Sequence, residues 1–157
     1  LPDVQKHSIV IGGGLGIPPL LELVRQLKGK TDAFLGFSQK PFLTENFERL
    51  GASVYVATQD GCNGYRGNVM ELLENTASDG DIIFACGPRP MLRSVSKWAG
   101  QHSIPSQLSM EERMACGVGA CLGCVVKVQR KGADDWEYLK VCKDGPVFWG
   151  AEVIWDE

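Results

Sequence analysis

The chain has 157 residues, 44% of them hydrophobic and 22% charged, with a formal net charge of −3. This composition excludes a disordered or collagen-like chain, and the acidic balance argues against electrostatic binding of nucleic acid. A chain this long buries roughly two thirds of its unfolded surface, so its core needs no disulfide or metal staples.

Taken in order, short apolar runs alternate with helical patterns. Ser8-Ile9-Val10-Ile11 reads as a buried strand, closed by Gly12-Gly13-Gly14. Leu20 to Leu27 is an amphipathic helix entered through Pro18-Pro19, where proline is tolerated because first-turn amides have no helical partner. Ala33–Phe37 is a second strand. A short helix is expected from Thr44 to Leu50 with Thr44 as its N-cap. Ser53–Ala57 is a third strand, followed by a polar loop from Thr58 to Arg66. Asn68–Asn75 is helical, Asp81–Ala85 a fourth strand, Pro90–Ala99 a helix, and Ile104–Met110 a fifth strand. Strands alternating with helices at this spacing, apolar on both faces, predict an α/β fold: a parallel sheet with helices on both faces. From Glu111 the pattern changes to a Gly/Cys-rich loop, a hairpin over Val125–Gln129 and Trp136–Val141, and a last strand at Val153-Ile154-Trp155. The expected division is therefore residues 1–110 as a nucleotide-binding domain and 111–157 as a cysteine-rich β appendage. No internal repeat or low-complexity tract is visible.

No apolar run approaches ~20 residues, so no membrane-spanning helix is expected. The start at Leu1-Pro2-Asp3 shows no charged and apolar regions of a signal peptide, so a cytoplasmic setting is expected; it also lacks an initiator Met, as expected of a chain processed or cut from something longer. In that compartment six cysteines suggest cofactor ligation before disulfides.

Gly12-Gly13-Gly14-Leu15-Gly16-Ile17-Pro18 lies where the first strand meets the first helix. Glycines permit a sharp turn and close approach of a ligand, and the helix pole behind them favours a pyrophosphate. A tight strand–helix turn without a ligand is the plainer alternative. Ile17 stands where G-x-G-x-x-G has its third glycine, and no Gly-Lys-Ser/Thr of a Walker loop follows. The acid of an ordinary dinucleotide fingerprint is also missing, because Asp32 falls at the start of the second strand. Ser38-Gln39-Lys40 ends that strand, and Ser38 and Lys40 are suited to a 2′-phosphate, so NADH and NADPH both stay open.

Cys116, Cys121 and Cys124 form C-x4-C-x2-C, with Cys142 as a distant fourth. This is the spacing of a plant-type [2Fe–2S] site. Glycines and alanines between the cysteines keep side chains away and leave backbone amides free to face the sulfurs. A four-cysteine zinc site is the rival, but zinc ligands usually come as two C-x2–4-C pairs rather than a triplet and a singlet. Cys62, in a polar loop, reads as incidental.

The glycine turn, together with Cys86-Gly87-Pro88-Arg89-Pro90-Met91, resembles the nicotinamide-binding domain of the ferredoxin–NADP reductase superfamily. The resemblance implies that Gly12, Gly13, Gly14, Gly16 and Pro18 hold a dinucleotide. Cys86, Gly87 and Pro88 would flank the nicotinamide. Cys86 is then the catalytic candidate near the hydride-transfer axis, although a small buried residue at a strand end reads equally well. Those reductases carry FAD largely on an N-terminal β-barrel with an Arg-x-Tyr-Ser/Thr motif, which these residues do not contain. Met114 to Val125, with Cys142 to Phe148 behind it, is similar within that superfamily to the electron-transfer subunits of bacterial NADH-linked dihydroorotate dehydrogenases. That resemblance implies an oxidoreductase subunit in pyrimidine synthesis, with electrons ordered through NAD(H), FAD, [2Fe–2S] and FMN on a partner catalytic subunit. It also implies a hetero-oligomer, with no activity in this stretch alone without the barrel. Two alternatives remain. One is a diaphorase-type subunit of a hydrogenase or ferredoxin-linked transhydrogenase. The other is a non-enzymatic, zinc-stabilised nucleotide-binding module.

Overall fold

A computed structural model describes residues 7–76 and 79–155. Leu1-Pro2-Asp3, on which the signal-peptide reading rests, lies outside them. Among the described residues no helix is long and apolar enough to cross a membrane.

The elements run β1 (Ser8–Gly13), α1 (Ile17–Gln26), β2 (Thr31–Phe37), α2 (Thr44–Arg49), β3 (Ser53–Thr58), β4 (Tyr65–Arg66), α3 (Val69–Thr76), β5 (Ile82–Cys86), α4 (Arg89–Gln101), β6 (Ser106–Ser109), β7 (Val125–Val128), β8 (Glu137–Lys140), α5 (Val141–Asp144) and β9 (Val147–Trp149). A seven-stranded sheet takes the order β4-β3-β2-β1-β5-β6-β9. Every pairing in it is parallel except β6 with β9. β7 and β8 form a separate antiparallel hairpin. The α/β architecture expected from the alternating runs is the one observed.

Strand alternation sorts the core into two layers. Ile9, Ile11, Phe34, Ile83 and Leu108 face one side, with Leu73 of α3 and Leu92 and Val95 of α4. Val10, Leu35, Phe37 and Phe84 face the other, against Leu20 and Val24 of α1 and Phe47 of α2. A sheet buried on both faces accounts for the near-continuous apolar runs in its central strands.

Four details differ from the expected elements. Thr44 does not cap α2; Leu43 holds the N-cap position at φ 61°, with no side-chain hydrogen bond. The polar loop after β3 ends in the two-residue strand β4. Val153 makes only an isolated bridge, to Val128. The C-terminal strand is instead β9, which adds antiparallel to the sheet edge, and the four-residue helix α5 precedes it. An edge strand that buries Phe148 alone, between exposed Val147 and Trp149, leaves little apolar periodicity to read.

The strand order positions the site. After β1 the chain moves outward through β2 and β3, then returns to place β5 on β1's other side. The carboxyl ends of β1 and β5 therefore flank the point where the winding reverses, the crevice in which open α/β sheets bind ligands.

Candidate nucleotide edge and cysteine centre

The two motifs singled out in the sequence meet at that crevice. Gly12 and Cys86 are register partners across the β1–β5 pair. The turn glycines then divide by role. A Cβ on Gly13 would lie 2.7 Å from Met91 Sδ and 2.9 Å from Pro88 Cδ. One on Gly16 would collide with the Cys86 carbonyl, and one on Gly12 would press on Ile17. These three let one motif seat against the other or against α1. Gly14 alone opens outward: its φ is 53°, and a Cβ there would meet nothing within 4 Å. Leu15 beside it is 89% exposed. An open left-handed glycine between a strand end and a helix start is a cradle suited to a pyrophosphate.

The helix pole contributes less than expected. Pro18 and Pro19 have no N–H, and the Ile17 N–H is taken by the Gly14 carbonyl. The start of α1 therefore offers its dipole but only a short row of amides. A separate cleft of about 710 Å³ opens between α3 and α4, lined by Pro88, Met91, Met70, Lys97 and Trp98, and contains none of the turn glycines.

Cys86 is half-buried, and burial pushes its thiol up. A hydrogen bond from Ser109 opposes this, and the Glu111 charge adds a smaller upward push. A thiol held neutral in this position packs and accepts a hydrogen bond from Ser109; it is not an activated nucleophile. Ser109 pairs with Cys86 across β5–β6. Ser109 and Glu111 were not singled out from sequence, because only the register of β6 against β5 brings them to this edge. Asp32 lies at the opposite edge, ion-paired with His7 at 2.7 Å and Lys30 at 3.4 Å, well away from any ribose here. Ser38 and Lys40 are exposed beyond β2.

β6 runs directly into the cysteine segment. Its loop is irregular, and its amides turn toward sulfur: Cys121 N–H donates to Cys116 Sγ and Gly123 N–H to Cys121 Sγ, each at 3.4 Å. Donation from the Val118 N–H, then from Cys121, brings the Cys116 thiol down to about 6, with Ala120 adding least. The fourth cysteine, Cys142, lies in α5, where the Val141 N–H bonds the Cys124 carbonyl at 2.9 Å. Sharing with the Cys124 thiol pushes Cys142 up, against a hydrogen bond from Gly119 N–H. Cys116 thus interacts with Cys121 and Cys142 with Cys124, and Cys142 also lies within electrostatic reach of Cys116.

Among the described residues no three Cys, His, Asp or Glu side chains are grouped so as to hold a single metal ion. Two neighbouring pairs of cysteines with backbone amides turned toward their sulfurs suit a dinuclear cluster, which spreads four ligands over two irons, better than one tetrahedral zinc. All six cysteines are free thiols. Cys62 sits in an exposed turn beside β3 and β4, near the opposite end of the strand order from β6 and β9, with its N–H bonded to Asp60 Oδ1 at 3.0 Å.

Residues 111–154 match the family described as the iron–sulfur cluster binding domain of dihydroorotate dehydrogenase B. The chain is 44% identical over 151 residues to the dihydroorotate dehydrogenase B (NAD(+)) electron transfer subunit of Caldanaerobacter subterraneus, covering 95% of this chain and 60% of that protein. It is 44% identical over 159 residues to the subunit of the same name from Streptococcus mutans, covering 98% and 60%. For Geobacillus kaustophilus the figures are 43% over 155 residues, covering 96% and 58%. The chain thus spans about 60% of the length of the curated relatives it matches. Among solved structures it is similar, with a TM-score of 0.79 and 27% identity, to one described as the NADH-dependent reduced ferredoxin-NADP oxidoreductase of flavin-based electron bifurcation. That match covers 95% of this chain and 54% of the other.

Proposed function

We propose, from the premise that this chain is homologous over nearly its whole length to electron transfer subunits of dihydroorotate dehydrogenase B, that it is the nucleotide- and cluster-binding portion of such a subunit. In this reading Gly12, Gly13, Gly14, Gly16 and Pro18 shape the pyrophosphate cradle, and Cys86, Gly87 and Pro88 border the nicotinamide. Cys116, Cys121, Cys124 and Cys142 hold a [2Fe–2S] cluster. One observation carries the proposal. β5 pairs with β1 on one side and β6 on the other, and β6 leads straight into the cysteine loop, so the two candidate centres share one edge.

The division of labour at residues 110 and 111 follows. The first segment presents NAD(H), and the second gathers the cysteines, with Cys124 buried among them. A flavin, when bound, supplies the exchange between a hydride and single electrons, which neither partner can make alone. We place its chief binding surface in the part of the relatives' length that this chain does not span. The partner is the FMN-containing dihydroorotate dehydrogenase catalytic subunit, and the setting is the cytoplasm. The structural neighbour favours a second reading, in which the same portion serves a ferredoxin-linked transhydrogenase.

Iron, sulfide, zinc and flavin analysis of the full-length protein tests the cofactors. NADH should bleach its visible spectrum when the flavin is present, and dithionite should do so with or without it. Rapid bleaching by NADH in flavin-free protein would defeat the proposed order. Copurification with a dihydroorotate-oxidising flavoprotein distinguishes the first reading from the second.

A further inference from the structure

We propose that Lys140 is a positioning residue for the cysteine loop, and that its ammonium, acting through the Gly119 carbonyl, holds the reduction potential of the cluster up. This rests on reading Cys116, Cys121, Cys124 and Cys142 as the [2Fe–2S] site.

Lys140 ends β8 and is the N-cap residue of α5, the helix that carries Cys142. Its backbone N–H donates to Asp144 Oδ2 at 2.7 Å, fixing the start of that helix. Its side chain runs the other way: Nζ donates to the Gly119 carbonyl at 2.7 Å in a partly buried setting. Gly119 stands midway between Cys116 and Cys121 with φ 80°. A Cβ there would lie 2.8 Å from Lys143 Cδ, so the stem of a second lysine covers the same glycine. The segment bearing the fourth cysteine thus grips the middle of the loop bearing the other three.

The grip has an electrical consequence. The Gly119 carbonyl lies in the run of backbone between Cys116 and Cys121, where the Cys121 N–H donates to Cys116 Sγ at 3.4 Å and the Ala120 N–H is the weakest of the donors. The Gly119 N–H reaches Cys142 sulfur. A cation on a peptide oxygen draws electron density across the group and strengthens its N–H as a donor, because hydrogen bonds in series polarise one another. The Lys140 ammonium thus places a positive charge on, and fixes the orientation of, the backbone between Cys116 and Cys121. One-electron reduction adds negative charge to the cluster. A stronger donor on sulfur and a positive charge close by both favour the more negative state. Asp144, on the backbone side of Lys140, and Lys143, over Gly119, are the other charges facing this linkage.

The test uses the full-length protein with its cluster. Lys140→Arg keeps charge and donor, Lys140→Gln keeps a donor without charge, and Lys140→Met keeps neither. Lys131→Gln, on the β7–β8 turn, serves as a surface control. Midpoint potentials come from EPR-monitored redox titration, alongside iron and sulfide content. Lys140→Met should shift the reduction equilibrium about tenfold toward the oxidised form, ~59 mV for one electron. Lys140→Gln should shift it less in the same direction, and Lys140→Arg and Lys131→Gln should match the parent protein. Loss of iron in Lys140→Met with retention in Lys140→Gln also supports the positioning role. Full iron content with an unmoved potential in both Lys140→Gln and Lys140→Met overturns the proposal alone. Absence of a cluster from the parent protein overturns the cluster reading, and this proposal with it.

Discussion

A methyl group placed on Gly14 would project into open space, whereas on Gly16 it would strike the backbone of Cys86. The two substitutions should therefore separate binding from folding. Gly14→Ala should cost roughly 1–2 kcal/mol, the penalty of a left-handed conformation for an L-residue. It should also weaken NADH binding at least tenfold in calorimetric titration of the full-length protein, and Gly14→Val should abolish binding. Gly16→Ala should lower the melting temperature far more, because the obstruction is main chain and cannot step aside. Equal affinity in parent and Gly14→Val protein would make the turn purely structural. The cysteines allow a second separation. Replacement of Cys116, Cys121, Cys124 or Cys142 by Ser should abolish the visible absorption of the cluster, while Cys62→Ser should leave it intact. In metal-free protein, amides lower the Cys116 thiol to about 6. Its alkylation by iodoacetamide should therefore rise as pH increases through 6 and be near its plateau at pH 7. Cys86 and Cys142, both pushed upward, should react only at more alkaline pH. Mass mapping of alkylated peptides decides the order. Spacing alone made the four cysteines legible; their association into two pairs was not, because it depends on the return of α5 to Cys124.

Among the elements, β1, β2 and β5 were readable because each buries a near-continuous apolar run, and α1 and α4 because each buries an apolar stripe. Helix ends were less so. Thr44 has a suitable side chain for a cap but lies inside α2, after Leu43 in a left-handed conformation. Asn68 holds the reciprocal arrangement instead: its Oδ1 accepts from Met70 N–H at 2.9 Å and Glu71 N–H at 3.0 Å, while Glu71 Oε2 accepts from Asn68 N–H at 3.2 Å. Asn-x-x-Glu at residues 68–71 is a polar variant of the capping box. Asn68→Ala should accordingly cost about 1 kcal/mol in urea unfolding, against a near-neutral Thr44→Ala. Similar losses for both would mean that the α3 cap is not formed in solution. The edge strand β9 escaped notice for a different reason. Its pairing partner β6 lies some forty residues earlier in the chain, and no local pattern records a long-range edge addition.

At the scale of the whole molecule, the cysteine-rich segment shares its hydrophobic layer with the nucleotide half. Cys124, Val126, Val128, Val141 and Phe148 belong to the same buried cluster as Ile9, Phe34, Ile83 and Leu108. The Arg89–Glu112 ion pair adds a polar tie from the Cys-Gly-Pro-Arg motif to the start of the cysteine segment, and Arg89 also lies over the Trp155 ring. Stripping the metal should therefore lower the stability of the protein as a unit, giving one calorimetric transition at a lower temperature. Two resolved transitions would establish residues 1–110 and 111–157 as independently folding parts. A change in sequence pattern after residue 110 was legible, but the common core was not, since it joins side chains from Ile9 to Val153 that no local pattern links.

The passage from β6 into the cysteine loop also works as a leash. Ser109 lies beside Cys86, about 5 Å away across the sheet, and only six residues separate it from Cys116. Fully extended, that stretch reaches at most ~25 Å. However the loop moves, Cys116 cannot stray beyond roughly 30 Å from Cys86, the tether plus one strand spacing, and the Glu112 anchor shortens the free length further. Distance between the two centres is thus capped by chain length as well as by packing. Gly-Ser insertions after Met110 would lengthen the leash a few ångströms at a time.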